Sequence, residues 1–444
     1  MHRVRVRDVD VFLRQVRTRM PFRYGKAVVT EEPIAHLRAR LDIDGRPATG
    51  VAAAALPPLW FDKDPSKSHA DNIADLLRSL RAAAETYRAL PAAGAFALHQ
   101  AGEPESRRRC AGLNDLTAGF GVALLDAAVV DGLCRATETT FHAALKSDLL
   151  GFGPLDLPER PLDRIQVRHT VGMADPITAA EVREPLNDGL PETLEDVVRV
   201  YGVRYFKVKV SGDLEASLDR LRRIAAVLRG DYQVTLDGNE QFHAMEEAAA
   251  FVRRVSTDPL LREFWGKTLW IEQPVERSAA LEEDVHEALE EIDRLKPVII
   301  DESDGTDGAV DRALLLGYRG ISAKNCKGIY RTLHSHRRTR EACAVLSSED
   351  LMNIPVVPLH QDLAVAAALG IGHSERNGHH YIRAFEYFSP RERESTLREY
   401  PSLYRTLPSG LGAVRIEGGA MSLAEINRAP FGVLSEPDWE VLTF

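Results

Sequence analysis

The alternation of hydrophobic and polar positions near the N-terminus predicts a small antiparallel sheet. Val4 and Val6, and then Val9 and Val11 after a slip of one residue, alternate with polar residues, which is the period of a strand with one face in water. Turn-rich sequences such as Pro21–Gly25 interrupt this alternation up to about residue 55. The expected strands lie around Val4–Val16, Val28–Ile43 and Gly50–Leu56.

The period then changes to that of helices. Between Asp71 and about Leu149, apolar residues recur three and four positions apart, and a strong helix begins at Asn114. A run of strands followed by a run of helices is typical of a separate α+β domain. We therefore predict an N-terminal α+β domain over residues 1–155.

Beyond Pro154, short β-branched segments alternate with amphipathic stretches of a dozen or more residues. This alternation is typical of βαβ units, and eight such units fit a TIM-type (β/α)8 barrel of the α/β class. The barrel is predicted over residues 156–380, and the segment 381–444, where the alternation stops, is expected to return to the first domain. The eight expected strands are Ile165–Val171, Tyr205–Val210, Gln233–Asp237, Thr268–Glu272, Pro297–Asp301, Gly320–Lys324, Ala342–Ser347 and Gly370–Arg376.

Composition narrows the class of protein. The net charge of −10 argues against nucleic acid as a partner. No stretch approaches the roughly 18 uninterrupted apolar residues that a membrane span needs, and the first residues lack the apolar core of a signal peptide. The four cysteines are too widely spaced to indicate a zinc site or a disulfide scaffold. We expect a cytoplasmic protein with no nucleic-acid or membrane partner.

Polar side chains gather at the carboxyl ends of the predicted barrel strands. In a TIM barrel this face carries the active site, because all eight strand ends converge there. Alternation along the second barrel strand places its two lysines on one face. The residues are Lys207 and Lys209 on strand two, Asp237 and Asn239 at strand three, Glu272 on strand four, Asp301 and Glu302 at strand five, and Lys324 on strand six.

Three carboxylates from successive strands indicate a metal site. Asp237, Glu272 and Asp301 can approach one another only if a positive charge lies between them. Hard oxygen ligands without His or Cys favour Mg²⁺, with Mn²⁺ as an alternative metal. Glu302 is a second candidate for the third ligand.

Lysines on strands two and six flank this row of carboxylates, so they are expected to face each other across a bound substrate. The arrangement suits removal of a proton α to a carboxylate, with the metal stabilising the charge of the enolate. A lysine base must be neutral part of the time, and Lys207 together with the metal would lower the pKa of Lys209. We assign Lys209 and Lys324 as the acid/base pair and Lys207 as an electrostatic helper.

The motifs KxK, LDGN, IEQP, DES and KxxKG, in this order, resemble the muconate-lactonizing branch of the enolase superfamily. The resemblance covers roughly residues 5–430 and implies a modified barrel capped by the N-terminal domain and the C-terminal segment. It favours Asp301 over Glu302 as the third ligand, and Met20–Arg23 resembles the start of the family's mobile capping loop. Lys327 departs from the pattern, because the family usually has a second glycine there, and it is expected to point away from the metal.

The resemblance leaves several reactions open. Strand seven has no histidine for the His–Asp dyad of the mandelate-racemase branch, and strand eight lacks the Asp-x-Asp that is typical of dipeptide epimerases. Two opposed lysines favour a racemase or epimerase of a carboxylic acid, because each face of the enolate has its own acid/base group. The alternatives are a cycloisomerase, a syn-dehydratase and a catalytically silent carboxylate-binding barrel. A metal-dependent aldolase or lyase on an unrelated barrel would have no N-terminal cap.

The expected partner is a small-molecule carboxylate, and the expected assembly is a homo-oligomer. His379 and His380 are interpreted as surface residues in a turn. Substrate contacts are expected from the capping loops and the strand ends, namely from Phe22, Arg23, Tyr24, Trp60, Asn239, Ser347, Glu349 and Glu375.

Overall fold

The computed structural model describes residues 2–25, 27–57 and 59–443. Its N-terminal part contains an antiparallel sheet of β1 (Val4–Tyr24), β2 (Ala27–Ile43) and β3 (Arg46–Ala55), with β2 in the centre. The predicted turn over Pro21–Gly25 begins only at Gly25, because β1 continues to Tyr24 after a register shift. A proline is tolerated there because β1 is an edge strand, which leaves one side of its backbone outside the ladder.

Four helices follow this sheet: α1 (His69–Ala89), α2 (Ala95–Arg109), α3 (Asp115–Ala136) and α4 (Phe141–Lys146). α1 and α3 pack against the sheet, and α2 packs against α1 and α3. As predicted, a long helix begins at Asn114. The Asn114 side chain caps α3, because it accepts a hydrogen bond from the Thr117 N–H at 3.0 Å. α3 is long and apolar enough to cross a membrane, but its apolar stretch is completely buried in the protein. Gly50 lets β3 approach α3, because a Cβ atom there would lie 1.8 Å from the Ala128 carbonyl oxygen.

Eight parallel strands form the barrel: β4 (Arg164–Val171), β5 (Tyr205–Lys209), β6 (Gln233–Asp237), β7 (Thr268–Glu272), β8 (Val298–Ile299), β9 (Gly320–Ala323), β10 (Val345–Ser348) and β11 (His373–Arg376). They pair in the order β8-β7-β6-β5-β4-β11-β10-β9, and a parallel bridge between Ile300 and Ile321 joins the two ends of this series. Each predicted strand overlaps an observed one. The predicted capped TIM-type barrel is therefore confirmed.

Helices connect successive strands of the barrel on its outside, as right-handed βαβ crossovers require. The connection after β6 holds two helices, and the last helix is a single turn that follows β11. They are α5 (Leu194–Tyr201), α6 (Leu214–Val227), α7 (Met245–Thr257), α8 (Arg262–Gly266), α9 (His286–Asp293), α10 (Ala309–Leu316), α11 (Ile329–Glu341), α12 (Val357–Leu369) and α13 (Gly378–Tyr381).

The C-terminal segment contains α14 (Pro390–Glu399), β12 (Tyr404–Thr406), β13 (Gly412–Val414) and β14 (Ala420–Ser422). β14 pairs antiparallel with β4 of the barrel. Thr443 forms a bridge with Leu13 of β1, and the buried Arg14 of β1 lies 2.6 Å from Glu392 of α14. The segment thus contacts both the N-terminal sheet and the barrel.

Candidate active site

The candidate site lies where the barrel strands end on their carboxyl side. In the ladders of β5, β6 and β7, Lys209 lies beside Asp237, and Asp237 lies beside Glu272. Asp301 and Lys324 follow β8 and β9 within two residues. All five residues are at most 7% exposed. The barrel therefore brings together the charged residues that the sequence pattern placed at successive strand ends.

Lys207 is the centre of a buried network of charges. Its Nζ lies 2.6–2.9 Å from one carboxylate oxygen each of Asp237, Glu272, Glu349 and Glu375. Burial alone would lower the pKa of Lys207, but these carboxylates outweigh burial and hold that pKa well above its ordinary value. These four contacts are consistent with the electrostatic role predicted for Lys207.

The two other predicted lysines each contact a different carboxylate. The Nζ of Lys209 donates a hydrogen bond to Asp237 Oδ2 at 2.6 Å. The Nζ of Lys324 lies 2.6 Å from Asp301 Oδ1 and donates to Glu349 Oε2 at 3.0 Å. Burial would lower the pKa of Lys324, but Asp301 and Glu349 outweigh it and raise that pKa well above its ordinary value. Lys324 is therefore protonated in the structure as it stands.

Asp301 is held in place by its neighbours in the barrel. The side-chain oxygen of Gln273 accepts hydrogen bonds from the backbone N–H groups of Asp301 and Ser303, at 2.8 and 3.2 Å. Burial would raise the pKa of Asp301, but Lys324 and Lys327 outweigh it and lower that pKa far below its ordinary value. Asp301 is thus a fixed anion.

The direction of Lys327 relative to the metal stays a prediction. Its Nζ lies 2.9 Å from Asp301 Oδ1 and donates to the backbone oxygens of Asp301 and Ser322 at 2.7 Å each. A buried ammonium needs acceptors, and Asp301 after β8 and Ser322 in β9 supply them. Lys327 therefore ties the strand ends of β8 and β9 together.

Three carboxylates lie close enough to hold one metal ion. Ligand oxygens of Glu272, Asp301 and Glu349 all lie within 4.8 Å of one another. Glu272 Oε2 is buried and has no hydrogen-bond partner among the described residues, and burial, followed by the charge of Glu349, raises the pKa of Glu272 well above its ordinary value. A buried group of hard oxygen donors with an unshared oxygen fits Mg²⁺.

Of the predicted ligands, Glu272 and Asp301 belong to this triad, whereas Asp237 points to Lys207 and Lys209. Glu302 lies apart, since its Oε1 accepts from Asn239 Nδ2 at 3.2 Å. We use the name lysine–carboxylate cluster for Lys207, Lys209, Asp237, Glu272, Asp301, Lys324, Glu349 and Glu375.

A cavity lies between this cluster and the N-terminal domain. Lys207, Lys209, Asp301 and Lys324 line it from the barrel side. The ring of Trp60, which is buried, lies 5.3 Å from Lys324 Nζ. The other lining residues are Phe22, Tyr24, Glu32, Pro57, Asn239, Asp350, Leu351, Met352, Glu375 and Asn377. The N-terminal domain therefore closes the carboxyl-end face of the barrel.

The family model described as enolase C-terminal domain-like matches residues 189–393, which include all of these barrel lysines and carboxylates. This part of the barrel is therefore similar to the C-terminal domain of enolases. The chain is also similar over its length to solved structures. A search of curated proteins found no match.

Three solved structures illustrate the similarity. Muconate lactonizing enzyme from Pseudomonas fluorescens, complexed with muconolactone, is 15% identical, with a TM-score of 0.66 and 98% of each chain covered. Dipeptide epimerase from Enterococcus faecalis V583, complexed with Mg and the dipeptide L-Leu-L-Tyr, is 14% identical, with a TM-score of 0.66, 97% of this chain and 100% of that chain covered. An enolase from Bradyrhizobium complexed with magnesium and mandelic acid is 17% identical, with a TM-score of 0.63, 95% of this chain and 93% of that chain covered. At these identities the similarity shows the fold.

Some predicted substrate contacts do not reach the cavity. The Arg23 side chain is exposed, because alternation along β1 turns it away from its neighbours Phe22 and Tyr24. Ser347 and Glu349 are buried beneath the cavity, where both accept hydrogen bonds from Arg168 Nη2, at 2.5 and 2.6 Å. Phe22, Tyr24, Trp60, Asn239 and Glu375 do line the cavity.

The interpretation of two surface histidines was also wrong. His380 is 2% exposed, and its ring packs edge-on against the ring of His169 at 4.7 Å. His379 is partly buried, with its ring 5.7 Å from that of His169. The cause is the helical turn α13, which folds this segment back onto β4. Neither histidine lines the cavity.

Sequence reasoning missed three polar residues that line the cavity, and we name them the acceptor patch: Glu32 on β2, Asp350 after β10 and Asn377 after β11. The only available signals were two acidic pairs, Glu31-Glu32 in a strand and Glu349-Asp350 at a strand end. Neither pair indicates which of its members faces the cavity.

Proposed function

We propose that this protein is a Mg²⁺-dependent enzyme that removes a proton α to the carboxylate of a small organic acid, and that it acts as a racemase or epimerase. The observation that carries this proposal is that Lys207, Lys209 and Lys324 line one buried cavity together with Asp301. Binding alone needs no acid/base groups, so a silent carboxylate-binding barrel does not explain three buried lysines.

In the proposed reaction, Lys209 and Lys324 exchange protons with the α-carbon from the two sides of the substrate. Lys324 begins as the acid, because Asp301 and Glu349 keep it protonated, and it donates its proton to the carbon. Lys209, which has the single carboxylate partner Asp237, accepts a proton for the same enantiomer. For the opposite enantiomer the roles are exchanged, and Trp60 and Phe22 help to exclude water.

The residues that would hold Mg²⁺ are Glu272 and Asp301, with Asp237 as the third ligand that the family resemblance implies. When bound, the ion would supply positive charge for the negative charge that develops on the substrate carboxylate. The proximity of Glu349 to Glu272 and Asp301 favours Glu349 as a second candidate for the third ligand.

Isothermal titration of Mg²⁺ into variants distinguishes the two ligand sets. If Asp237 is the third ligand, Asp237→Asn weakens Mg²⁺ binding much more than Glu349→Gln. The reverse order would favour Glu349. Mn²⁺ is titrated in parallel, because the same oxygen donors accept it.

The reaction class is tested in D₂O, where NMR follows α-proton exchange in a panel of carboxylic acids with the Mg²⁺-loaded protein. If each lysine serves one enantiomer, Lys209→Ala stops exchange from one enantiomer and Lys324→Ala from the other, and racemisation is lost in both. Lys146→Ala, at an exposed lysine, is the matched control. Retention of activity in both active-site variants would remove the lysines from the mechanism.

A cycloisomerase or syn-dehydratase would use one lysine as the base, so one alanine variant would then lose much less activity than the other.

The division into residues 1–155, 156–380 and 381–444, with the last segment completing the cap, remains our proposal, and expression of residues 156–380 alone tests it. A homo-oligomer also remains a prediction, which light scattering after size-exclusion chromatography tests.

A further inference from the structure

The acceptor patch contains buried oxygen atoms that lack hydrogen-bond donors. Glu32, Asp350 and Asn377 are 0, 4 and 3% exposed, and all three line the cavity. Both carboxylate oxygens of Glu32, Oδ1 of Asp350 and the side-chain oxygen of Asn377 have no hydrogen-bond partner among the described residues, whereas Oδ2 of Asp350 is paired with Arg376. Buried acceptors of this kind are costly unless a donor reaches them. A ligand that satisfies them must therefore donate hydrogen bonds.

When ionised, the carboxylates around the patch outnumber the cations beside them. Arg376 Nη1 lies 2.8 Å from Asp350 Oδ2, and the same atom lies 3.4 Å from Asp362, so two carboxylates share one guanidinium. Within the described part of the chain no cation pairs with Glu32. Burial, and then the charge of Asp350, raises the pKa of Glu32 well above its ordinary value. A cationic ligand would supply the counter-charge that favours ionised Glu32.

We propose that the acceptor patch binds a protonated nitrogen of the substrate, so that the substrate is a carboxylic acid that also carries an ammonium or guanidinium group. This inference rests on the proposed function, since it assigns the nitrogen to the substrate of that reaction. A neutral hydroxyl group would donate one hydrogen bond and leave the carboxylate charge unbalanced. The aromatic rings of Phe22 and Tyr24 line the same cavity and favour a cation there as well.

Binding of the cation alone is tested first, because it requires no turnover. The probes are n-butylammonium chloride and n-butanol, and thermal unfolding of the Mg²⁺-loaded protein is measured across a concentration series of each at constant ionic strength. We expect a saturable rise in Tm with n-butylammonium, which n-butanol does not give and which Glu32→Gln abolishes. Glu31→Gln changes the exposed neighbour of Glu32 and should keep the rise. An equal rise in wild type and Glu32→Gln, or no rise in wild type, would overturn the proposal.

The second test uses α-proton exchange with three acids of nearly equal shape: N-acetyl-lysine, N-acetyl-6-hydroxynorleucine and N-acetylnorleucine. We expect kcat/KM for the lysine derivative to exceed the others by about 10- to 100-fold, the usual size of a hydrogen bond to a charged group. Glu32→Gln and Asp350→Asn should remove this preference mainly through KM. A preference that survives both substitutions, or an equal loss for all three acids, contradicts the proposal.

The two tests separate this proposal from the proposed function. If no acid exchanges its α-proton but n-butylammonium still binds through Glu32, the proposed reaction fails and the cation subsite stands. If the acids exchange without any preference for the charged nitrogen, the reaction stands and the cation subsite fails.

Discussion

The lysine–carboxylate cluster and the acceptor patch line the same cavity, but they differ in whether their buried carboxylates have cations beside them. In the cluster, each carboxylate has a lysine Nζ within 3.0 Å, and Glu349 also has Arg168 at 2.6 Å. In the patch, Glu32 has no cation beside it among the described residues. Every carboxylate of the cluster therefore has a cation of the protein beside it, whereas Glu32 of the patch does not.

The pKa values of two glutamates show the same difference. Burial would raise the pKa of Glu349, but Lys207, Lys324 and Arg168 outweigh it and lower that pKa well below its ordinary value. For Glu32, burial and the charge of Asp350 act in the same direction and raise the pKa. A site that must hold reacting groups in fixed positions benefits from complete pairing, whereas a surface that recognises a ligand gains affinity from groups that the ligand completes.

The largest effect is expected from the centre of the cluster. Lys207→Met keeps the apolar length of the side chain but leaves four buried carboxylates without their shared cation. Loss of one partner from a buried charge pair costs about 3–5 kcal/mol, so the free energy of unfolding should fall by about this amount. Urea denaturation at pH 7 measures it, with Lys146→Met at an exposed position as the control. Equal stability of both variants would show that the cluster is not organised around Lys207.

A smaller loss is expected at the edge of the cluster. Lys327→Met removes hydrogen bonds to two backbone oxygens, but Lys324 still neutralises Asp301. Unmet buried acceptors cost about 1–3 kcal/mol, and urea denaturation should give a value below that of Lys207→Met. A loss as large as that of Lys207→Met would mean that the pairing of Asp301 depends on both lysines together.

A substitution in the acceptor patch should raise the free energy of unfolding, whereas the substitutions in the cluster lower it. The unfolded-state carboxyl of Glu32 ionises near its ordinary pKa of 4.5, whereas the folded-state carboxyl stays protonated to higher pH. Glu32 therefore costs stability that increases as the pH rises above this value. Glu32→Gln should raise the free energy of unfolding of the substrate-free protein at pH 7 by about 1–3 kcal/mol, with little effect at pH 4.

Thermal or urea denaturation at both pH values checks this prediction. Glu31→Gln, at the exposed neighbouring position, should leave the stability unchanged at both pH values. Destabilisation by Glu32→Gln at pH 7 would mean that Glu32 is already paired and that the contrast with the cluster is wrong.

The smallest effect concerns the loop between β3 and α1, which contacts the barrel near the cavity. Lys63, whose side chain is 30% exposed, pairs with Glu240, donates to the Asn239 carbonyl oxygen at 3.0 Å and lies 3.4 Å from Glu302. Partly exposed pairs contribute about 0.2–1 kcal/mol, so Lys63→Ala should lower stability by no more than this. Lys67→Ala is a suitable control, because Lys67 pairs with Asp62 and Asp75 within the cap. A loss of several kcal/mol would mean that Lys63 belongs functionally to the cluster.

The sequence by itself determined the barrel and most of the cluster. Strand and helix periods alternate clearly after Pro154, and parallel strands in a closed barrel must end at one face. Lys207, Lys209, Asp237, Glu272 and Lys324 could therefore be assigned to a common site from their positions at successive strand ends. The period of a strand also fixes that Lys207 and Lys209 point to the same side.

Only the tertiary structure decided which residues complete the cavity. Periodicity does not give the register of a strand that continues through a turn-like sequence, so the orientation of Arg23 and the choice between Glu31 and Glu32 could not be read from the chain. Loop residues such as Lys327 and Asp350 have no periodic pattern at all. Their directions depend on which buried donors and acceptors lie nearby, and these come from segments that are distant in sequence.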